Sequence, residues 1–98
     1  MLQWRMIKTF RCKETKKVYQ REFSKKLPHD IQRIAYRKLL MIDSAIDVID
    51  LKIPPANRLE KLSGDREGQY SIRVNKQFRI CFNWESGFAL DVEIVDYH

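Results

Sequence analysis

Residues 57–98 read NRLEKLSGDREGQYSIRVNKQFRICFNWESGFALDVEIVDYH, and the predicted fold class follows from them. It combines a turn, three runs that alternate apolar and polar residues, and a tail that ends at Asp96, Tyr97 and His98. A period of two is typical of strands that bury one face and expose the other. The stretch therefore predicts a small antiparallel sheet whose open face presents charged and titratable groups to an anion. We expect the rest of the chain to supply a helical cover for the apolar face.

The alternation assigns each residue of the three predicted strands to a face. The residues predicted to face the core are Tyr70, Ile72, Val74, Phe78, Ile80, Phe82, Trp84, Phe88, Leu90, Val92 and Ile94. The open face takes their neighbours, namely Gln69, Ser71, Arg73, Gln77, Arg79, Cys81, Asn83, Ala89, Asp91, Glu93, Val95 and Tyr97. Because residues paired across strands point the same way, these faces also constrain the register.

The first predicted loop, residues 75–77, sets the register of the first two strands. A two-residue loop would pair apolar Val74 with a polar residue and mix the faces. A three-residue loop pairs Val74 with Phe78 instead and keeps the faces separate. The same register places Arg73 directly opposite Arg79.

The second predicted loop, residues 85–87, fits a three-residue hairpin with glycine in the left-handed position. The pairs predicted across it are Trp84 with Phe88, Phe82 with Leu90, and Arg79 with Glu93. The open face then carries a row of three charged residues, Arg73, Arg79 and Glu93. Two opposed arginines repel each other unless an anion lies between them. The row is therefore either a solvated charge ladder or a phosphate-binding surface, for which guanidinium is a suitable donor.

The preceding residues are predicted to form the cover. Alternation over Met6–Arg11 predicts a short half-buried strand. An amphipathic helix is predicted over residues 13–26, and a second begins at Pro28 and continues as one apolar stripe to Ile49. The pair Pro54-Pro55 is predicted to end all helical structure and to make a rigid connector to the sheet.

Composition bounds the class of protein. The 98 residues predict one domain, in which residues 1–5 form a dispensable extension if Met6 is the natural start. A net charge of +6 favours a polyanionic partner, either nucleic acid or an acidic protein surface. Cys12 and Cys81 are too few for a disulfide framework and have no metal-ligand spacing. We expect a cytoplasmic protein without a metal site, signal peptide or membrane span.

Three segments carry a resemblance to a known family: PPANRLEKLSGDREGQYSIRVN, QFRICFNW and the closing VEIVDYH. Together with the MIKTF start, they resemble the HigB branch of the RelE/ParE toxin–antitoxin superfamily (plasmid maintenance killer proteins) from Met6 to His98. The resemblance implies an α+β fold with two N-terminal helices packed on one face of a small twisted antiparallel sheet. It also implies a ribosome-dependent mRNA endonuclease that needs no cofactor or metal, cleaves A-site codons by 2′-OH attack, and arrests translation and growth.

The resemblance also implies partners and alternatives. The partners would be a HigA-like helix-turn-helix antitoxin, mRNA in the ribosomal A site and ribosomal RNA, with operator DNA bound only through the antitoxin. One alternative is a ParE-like inhibitor of DNA gyrase without nuclease activity. Another is an inactive chain that binds the antitoxin as a co-repressor. The ParE-like alternative would make the tail structural and leave no need for His98.

Mapped residue by residue, the resemblance implies four catalytic residues. Arg79 would bind the phosphate and stabilise the transition state, since guanidinium suits that charge. His98 would perform acid–base work, because a histidine with a pKa near ~6.5 titrates close to neutral pH. Asp96 would orient His98 or act as the base. Tyr97, on the open face with Arg79, would stack on a base or hydrogen-bond the phosphate.

Four further residues are predicted to contact the substrate or the ribosome. Arg66 and Arg73 would contact the substrate, although Arg66 also fits a charged turn. Lys61 would contact ribosomal RNA through phosphate electrostatics. Glu60 occupies the NRLEKL run, where some family members carry a histidine. It would replace that histidine as a carboxylate base, act as a surface spacer, or leave the role to the tail.

Overall fold

A computed structural model describes residues 5–97, so residues 1–4 of the predicted extension and His98 lie outside the described residues. Its helices and strands are α1 (Lys13–Tyr19), α2 (His29–Ser44), β1 (Glu60–Lys61), β2 (Gln69–Arg73), β3 (Phe78–Glu85) and β4 (Phe88–Asp96). The strands form one antiparallel sheet in the order β1-β2-β3-β4. The predicted α+β fold is confirmed, with β1 as a short fourth strand at the edge. Within the described part, no helix is long and apolar enough to cross a membrane.

The helices cover one face of the sheet, as predicted. The predicted stripe of α2 is buried at Ile31, Ala35, Leu39 and Ile42, none of them more than 2% exposed. The sheet residues in the same core are Ile72, Val74, Phe78, Ile80, Phe82, Ala89, Val92 and Ile94. Burial of this apolar area is the main stabilising contribution to the fold.

The N-terminal segment lies beside β4 without forming a regular strand, so the predicted strand over Met6–Arg11 is only partly right. Two isolated parallel bridges join it to β4, Ile7 with Ala89 and Phe10 with Val92. Its other anchor is Asp43 of α2, whose carboxylate accepts the Ile7 N–H at 3.0 Å and the Tyr19 hydroxyl at 2.6 Å. One aspartate therefore ties α1, α2 and the N-terminal segment together.

Tyr19→Phe is expected to lower the free energy of unfolding by about 1.5–3 kcal/mol near pH 7, because it removes a hydrogen bond to a carboxylate. Burial, followed by the neighbouring Asp43, raises the pKa of Tyr19 from 10.0 to about 12. A raised pKa stabilises the fold fully below the unfolded value and loses that contribution as the pH rises through the folded value. In urea denaturation, the difference from wild type should be constant to about pH 9 and shrink between about pH 10 and 12.

Tyr36→Phe is the matched control for this prediction. Tyr36 is also half-buried beside α1, and its hydroxyl makes no hydrogen bond within residues 5–97. Its replacement should change the free energy of unfolding little at any pH. Equal effects of the two substitutions, or a difference for Tyr19→Phe that stays constant to high pH, would show that the bond to Asp43 does not stabilise the fold.

The first helix is shorter than the predicted 13–26. It ends at Tyr19, and Arg21 then takes a left-handed conformation with φ 64°. Ser24 fixes the chain beyond this point, because its buried hydroxyl donates to Glu14 at 2.6 Å while Gln32 Nε2 donates to its carbonyl at 2.7 Å. The hydrogen bond from Ser24 lowers the pKa of Glu14. These polar contacts take the place of further helical turns.

The second helix ends at Ser44, before the predicted end at Ile49. A separate 3₁₀ turn, Val48–Lys52, follows it. The side chains of Asp47 and Asp50 form a capping box that accepts backbone N–H groups at the start of this turn. Such competition for backbone donors is the reason that Asp favours caps over helix interiors. Ile49 is consequently 54% exposed and does not extend the apolar stripe.

The connector between α2 and the sheet contains one more helical turn than predicted. Residues Pro55–Asn57 form a 3₁₀ turn, because proline is tolerated at the first helical position. Asn57 is fully buried there, and its Nδ2 donates to the carbonyls of Leu51 at 3.1 Å and Ile53 at 3.4 Å. The connector is therefore fixed by internal hydrogen bonds as well as by its prolines.

The register between β3 and β4 differs from the prediction. Glu85 lies opposite Phe88, so the loop has two residues, Ser86 and Gly87, with φ 51° and 85°. The observed pairs include Trp84 with Ala89, Asn83 with Leu90, Cys81 with Glu93, and Arg79 with Val95. A β-bulge between Cys81 and Asn83, where Asp91 has φ 53°, restores the predicted faces for Val92 and Ile94. Before the bulge the faces are reversed, so Ala89 is buried and Phe88 is 36% exposed.

Candidate active site

The candidate site lies on the sheet face opposite the helices. The predicted three-residue loop is confirmed there, because Val74 N–H donates to the Phe78 carbonyl and Arg73 lies opposite Arg79. The face is less solvated than predicted. Ser71 and Cys81 are fully buried and Arg79 is only 8% exposed. The loop that follows α2 covers part of this face, since its Arg58 carbonyl contacts Arg79.

Arg79 is the centre of this face. Its Nε donates to the Ser71 hydroxyl at 2.8 Å, and its Nη2 donates to the Arg58 carbonyl at 2.6 Å and to the Ser71 carbonyl at 3.4 Å. Nη1 makes no hydrogen bond to the described residues. One edge of the guanidinium is thus held by the protein, and the other retains two N–H donors for an anion.

Glu60 and Tyr97 lie beside Arg79. A Glu60 carboxylate oxygen is 3.9 Å from Nη2, and that side chain is 53% exposed. The Tyr97 ring centroid is 5.9 Å from the Arg79 Cζ, and Tyr97 is 40% exposed. The backbone N–H of Tyr97 donates to the Gln77 carbonyl at 2.6 Å, which fixes the end of the tail beside the β2–β3 loop. The structure therefore brings three of the predicted site residues together around one guanidinium.

Asp96 lies at the same end of the sheet but on the other face. It pairs with Phe78, so by strand parity it shares the face of Phe78 and not that of Arg79. Its carboxylate accepts a hydrogen bond from Gln77 Nε2 at 3.0 Å. The prediction that Asp96 orients His98 or acts as the base remains a prediction, because His98 lies outside the described residues.

Arg66 lies over the sheet at the other end of the polar face. Its Nη1 donates to Glu93 at 3.1 Å and to Gln69 at 3.0 Å. The Arg11 Nε lies 3.9 Å from the same carboxylate oxygen of Glu93. The predicted row of Arg73, Arg79 and Glu93 is therefore wrong in its third member, since the shorter turn and the bulge in β4 together shift the register by two residues and put Val95 opposite Arg79.

Arg73 and Lys61 are less closely associated with the centre. Arg73 lies opposite Arg79, but its Nε donates to the carbonyl of Asn75 in the adjoining loop at 3.1 Å. Lys61 pairs with Tyr70, so parity puts it on the helix-facing side of the sheet. Its Nζ lies 5.9 Å from the centroid of the Tyr70 ring. Arg73 thus borders the site, and Lys61 does not share its face.

Cys81 lies beneath the centre of the polar face. Burial raises the pKa of this thiol, which keeps it protonated and unreactive near neutral pH. Across residues 5–97, no three His, Cys, Asp or Glu side chains are grouped as metal ligands would be. The chemistry of the face therefore centres on the guanidinium of Arg79, the carboxylate of Glu60 and the ring of Tyr97.

Residues 8–98 match the family described as the RelE-like toxin of type II toxin-antitoxin system HigB. The chain belongs to the HigB family. It is 36% identical over 94 residues to the Endoribonuclease HigB of Proteus vulgaris, which covers 95% of this chain and 100% of that protein. It is also 48% identical over 65 residues to the Toxin HigB-1 of Vibrio cholerae serotype O1, covering 66% of this chain and 68% of that protein.

A solved structure supports the fold of this HigB-family chain. The YoeB-YefM complex from Staphylococcus aureus aligns with a TM-score of 0.59, covering 94% of this chain and 94% of that one. Only 19% of the aligned residues are identical. At that identity the comparison supports the RelE-like fold alone.

Sequence reasoning missed two groups in this HigB-family site, the Ser71 hydroxyl and the Arg58 carbonyl. Alternation had put Ser71 on the open face, and the confirmed register makes it a near neighbour of Arg79. A diagonal cross-strand contact was therefore a usable signal for Ser71. The carbonyl of Arg58 has no such signal, because a backbone acceptor carries no side-chain signature.

Proposed function

We propose that this HigB-family toxin is a ribosome-dependent mRNA endonuclease that cuts codons in the ribosomal A site. The single observation that carries the proposal is Arg79, a buried guanidinium held along one edge, with two N–H groups left for a phosphate. Oriented donors in a partly desolvated site are what a charged transition state needs. The relative named Endoribonuclease HigB, which aligns over nearly the whole chain, adds support.

In the proposed reaction, the nucleophile comes from the RNA itself. The 2′-oxygen forms a bond to the adjacent phosphorus, the bond from phosphorus to the 5′-oxygen breaks, and the products end in a 2′,3′-cyclic phosphate and a 5′-hydroxyl. The protein needs to accept the 2′-OH proton, stabilise charge on the phosphoryl oxygens and protonate the departing oxygen. Every one of these tasks suits a side chain, so the proposed mechanism uses no metal ion and no cofactor.

Arg79 and Glu60 take the first two tasks in this proposal. The free Nη1 edge of Arg79 donates to the non-bridging phosphoryl oxygens, which gain charge in the transition state. Glu60 accepts the 2′-OH proton, because its carboxylate lies 3.9 Å from Arg79 and is exposed enough to reach a bound phosphodiester. Glu93 is a weaker candidate for the base, since its carboxylate is bonded to Arg66 at 3.1 Å.

The tail takes the remaining tasks. We assign His98 as the general acid that protonates the 5′-oxygen. It follows Tyr97 directly in the sequence, and the Tyr97 ring lies beside the Arg79 guanidinium. The half-exposed ring of Tyr97 provides a surface on which a base can stack. Asp96, whose carboxylate accepts a hydrogen bond from Gln77, is assigned the role of orienting His98.

The remaining basic residues dock the toxin on the ribosome in this proposal. Arg73 beside the site and Arg66 farther along the same face contact the mRNA backbone, while Lys61 contacts ribosomal RNA from the edge of the sheet. A net charge of +6 supports docking on a polyanion by phosphate electrostatics. The proposed site of action is therefore the cytoplasm, where translating ribosomes are found.

The proposed partner that silences the toxin is a HigA-like antitoxin with a helix-turn-helix domain. Membership in a family of type II toxin-antitoxin systems supports an antitoxin partner. The related fold of the toxin in the YoeB-YefM complex is consistent with this. In this proposal, the toxin reaches operator DNA only through the antitoxin.

The test is to add the purified chain to ribosomes that hold a defined mRNA codon in the A site and to map the new 5′ ends. We expect cuts in phase with the A-site codon, carrying 5′-hydroxyl groups, and no cuts in the same mRNA without ribosomes. Absence of codon-phased cuts, with translation intact in a purified system, would refute the proposal. DNA supercoiling by gyrase, measured in parallel, would identify a ParE-like inhibitor, and antitoxin binding without either activity would identify a co-repressor.

A further inference from the structure

We propose that Ser71 is a positioning residue for Arg79, and that a braced carbonyl at Arg58 completes the same clamp. Both act on one edge of the guanidinium so that the Nη1 edge is presented to the substrate phosphate. The proposal rests on the nuclease function proposed above. It goes further by assigning a role to a buried serine and to a helix α2 lysine.

The Ser71 hydroxyl is the first half of the clamp. Ser71 is fully buried on β2, and its Oγ accepts the Nε–H of Arg79 at 2.8 Å. The two residues lie on adjacent strands with a fixed register, in which Ser71 faces Cys81 and Arg73 faces Arg79. A donor–acceptor pair between neighbouring strands has little freedom, so this bond fixes the plane of the guanidinium.

The Arg58 carbonyl is the second half. Arg58 has a left-handed conformation with φ 46° and ψ 56°, and its carbonyl accepts Nη2–H at 2.6 Å. A residue other than glycine in that conformation is uncommon and persists where surrounding contacts hold it. The preceding residue, Asn57, supplies such contacts, because its buried amide donates to the carbonyls of Leu51 and Ile53.

Lys38 links this loop to α2. Its Nζ donates to Asn57 Oδ1, which fills the acceptor side of the buried amide. Burial lowers the pKa of Lys38, in agreement with an ammonium group turned in from solvent. A chain of contacts therefore runs from α2 to Arg79: Lys38 is hydrogen-bonded to Asn57, the backbone joins Asn57 to Arg58, and the Arg58 carbonyl accepts from Arg79. The helical cover, which has no group at the reacting atoms, supports the catalytic guanidinium through this chain.

The clamp accounts for the uneven distribution of hydrogen bonds on Arg79. Nε and Nη2 donate to acceptors of the protein, and Nη1 donates to none of the described residues. An arginine side chain held in this way has already lost its rotamer freedom before the substrate arrives. Holding a charge-stabilising donor in place is a recognised source of rate, because no reorganisation is needed at the moment of reaction.

The experiment is a double-mutant cycle in single-turnover cleavage on mRNA-loaded ribosomes. We expect Ser71→Ala to slow cleavage roughly tenfold with the affinity for ribosomes unchanged, since it loosens a transition-state donor without removing charge. In an Arg79→Lys background, Ser71→Ala should have no further effect, because lysine has no Nε–H for Ser71 to hold. The cycle measures this loss of additivity directly.

Two more variants extend the cycle, the first as a second test of the clamp and the second as a control. Lys38→Met, at the far end of the chain of contacts, should slow cleavage in the wild type and not in Arg79→Lys. Ser63→Ala, at an exposed loop serine, should leave the rate unchanged in both backgrounds. Thermal melting and binding of the antitoxin report whether each variant is folded. A merely structural role for Ser71 would lower the rate by the same factor in both backgrounds, which would overturn the proposal.

A spectroscopic readout separates this proposal from the proposed function. In a ¹H–¹⁵N spectrum of the free toxin, the Arg79 Nε–H should be protected from solvent exchange and lose that protection in Ser71→Ala. Suppose that the wild type cuts no mRNA and yet shows a protected Arg79 Nε–H that Ser71→Ala exposes to exchange. In that case the nuclease function is refuted and the clamp is supported. If Ser71→Ala leaves the Arg79 signal protected, the clamp fails whether or not the toxin cleaves mRNA.

Discussion

Arg79→Ala is expected to lower the single-turnover rate of mRNA cleavage on loaded ribosomes by roughly 10²- to 10³-fold, a loss typical of removing one preorganised donor to a developing charge. The reason lies in the site: Arg79 is held along one edge by Ser71 and Arg58, and its Nη1 makes no hydrogen bond to the described residues. In cells, the same substitution should abolish growth arrest. Primer extension on the stalled ribosomes measures the rate directly.

Loss of stability must be separated from loss of chemistry in this variant. Arg79 is 8% exposed, and its removal leaves the Ser71 hydroxyl and the Arg58 carbonyl without their donor. The Ser71 hydroxyl is buried, and an unsatisfied buried acceptor of this kind costs about 1–3 kcal/mol. The melting temperature of Arg79→Ala should therefore be lower than that of the wild type.

Arg79→Lys and Arg33→Ala are the comparison variants for Arg79→Ala. Arg79→Lys keeps a positive charge but lacks the planar fork, so we expect it to cleave slowly as well. Arg33 is an exposed arginine of α2, and its replacement should preserve both cleavage and the melting temperature. Antitoxin binding with all three variants shows whether the fold is retained. Wild-type cleavage by folded Arg79→Ala would remove Arg79 from the mechanism.

The sheet was predictable where residue alternation and loop length agreed. Val74 and Phe78 on one face, with Arg73 and Arg79 on the other, allow only one simple register, and the structure has it. The turn at Ser86 and the bulge at Asp91 were not predictable in the same way. Both place a residue other than glycine at positive φ, 51° and 53°, and alternation alone carries no signal for such a position.

The two irregularities compensate for each other. The shorter hairpin reverses the faces near Ala89, and the bulge at Asp91 reverses them again before Ile94. The end of β4 therefore keeps its predicted face, which is why Tyr97 reaches Arg79 as expected. The two shifts in register add, however, so Glu93 lies opposite Cys81 and not opposite Arg79. The error in register therefore left the face of the tail intact but shifted the tail by two residues along β3, so that Val95 lies opposite Arg79.

The placement of Arg79 and Tyr97 on one face was predictable from strand parity and family resemblance. The contacts that hold the Arg79 side chain were not predictable. Arg79 and Tyr97 belong to strands whose period of two fixes their face. The loop that contacts Arg79 follows a short 3₁₀ turn, and it is held by the amide of Asn57 and a left-handed Arg58. Such contacts depend on where distant segments meet, in this case α2 and β3, and a local sequence pattern does not contain that information.

His98→Ala is the second variant with a large expected effect, a loss of roughly 10²- to 10⁴-fold in single-turnover cleavage, as for removal of a general acid. The histidine ring titrates near ~pH 6.5 when unperturbed, so it can protonate a departing oxygen near neutral pH. His29→Ala is the matched control, because His29 is exposed at the start of α2 and packs on Phe23 at a ring distance of 5.3 Å, away from the polar face.

The assignment of His98 as acid, with Glu60 as base, can be tested by the choice of leaving group. An mRNA with sulfur in place of the bridging 5′-oxygen at the cut site releases a thiolate, which leaves without protonation. On that substrate, His98→Ala should cleave nearly as fast as wild type, whereas Glu60→Gln should remain slow because the 2′-OH proton must still be removed. If His98→Ala stays equally slow on both substrates, His98 is not the acid. If Glu60→Gln is the variant that recovers, the two roles are exchanged, with the carboxylate beside Arg79 protonating the leaving group.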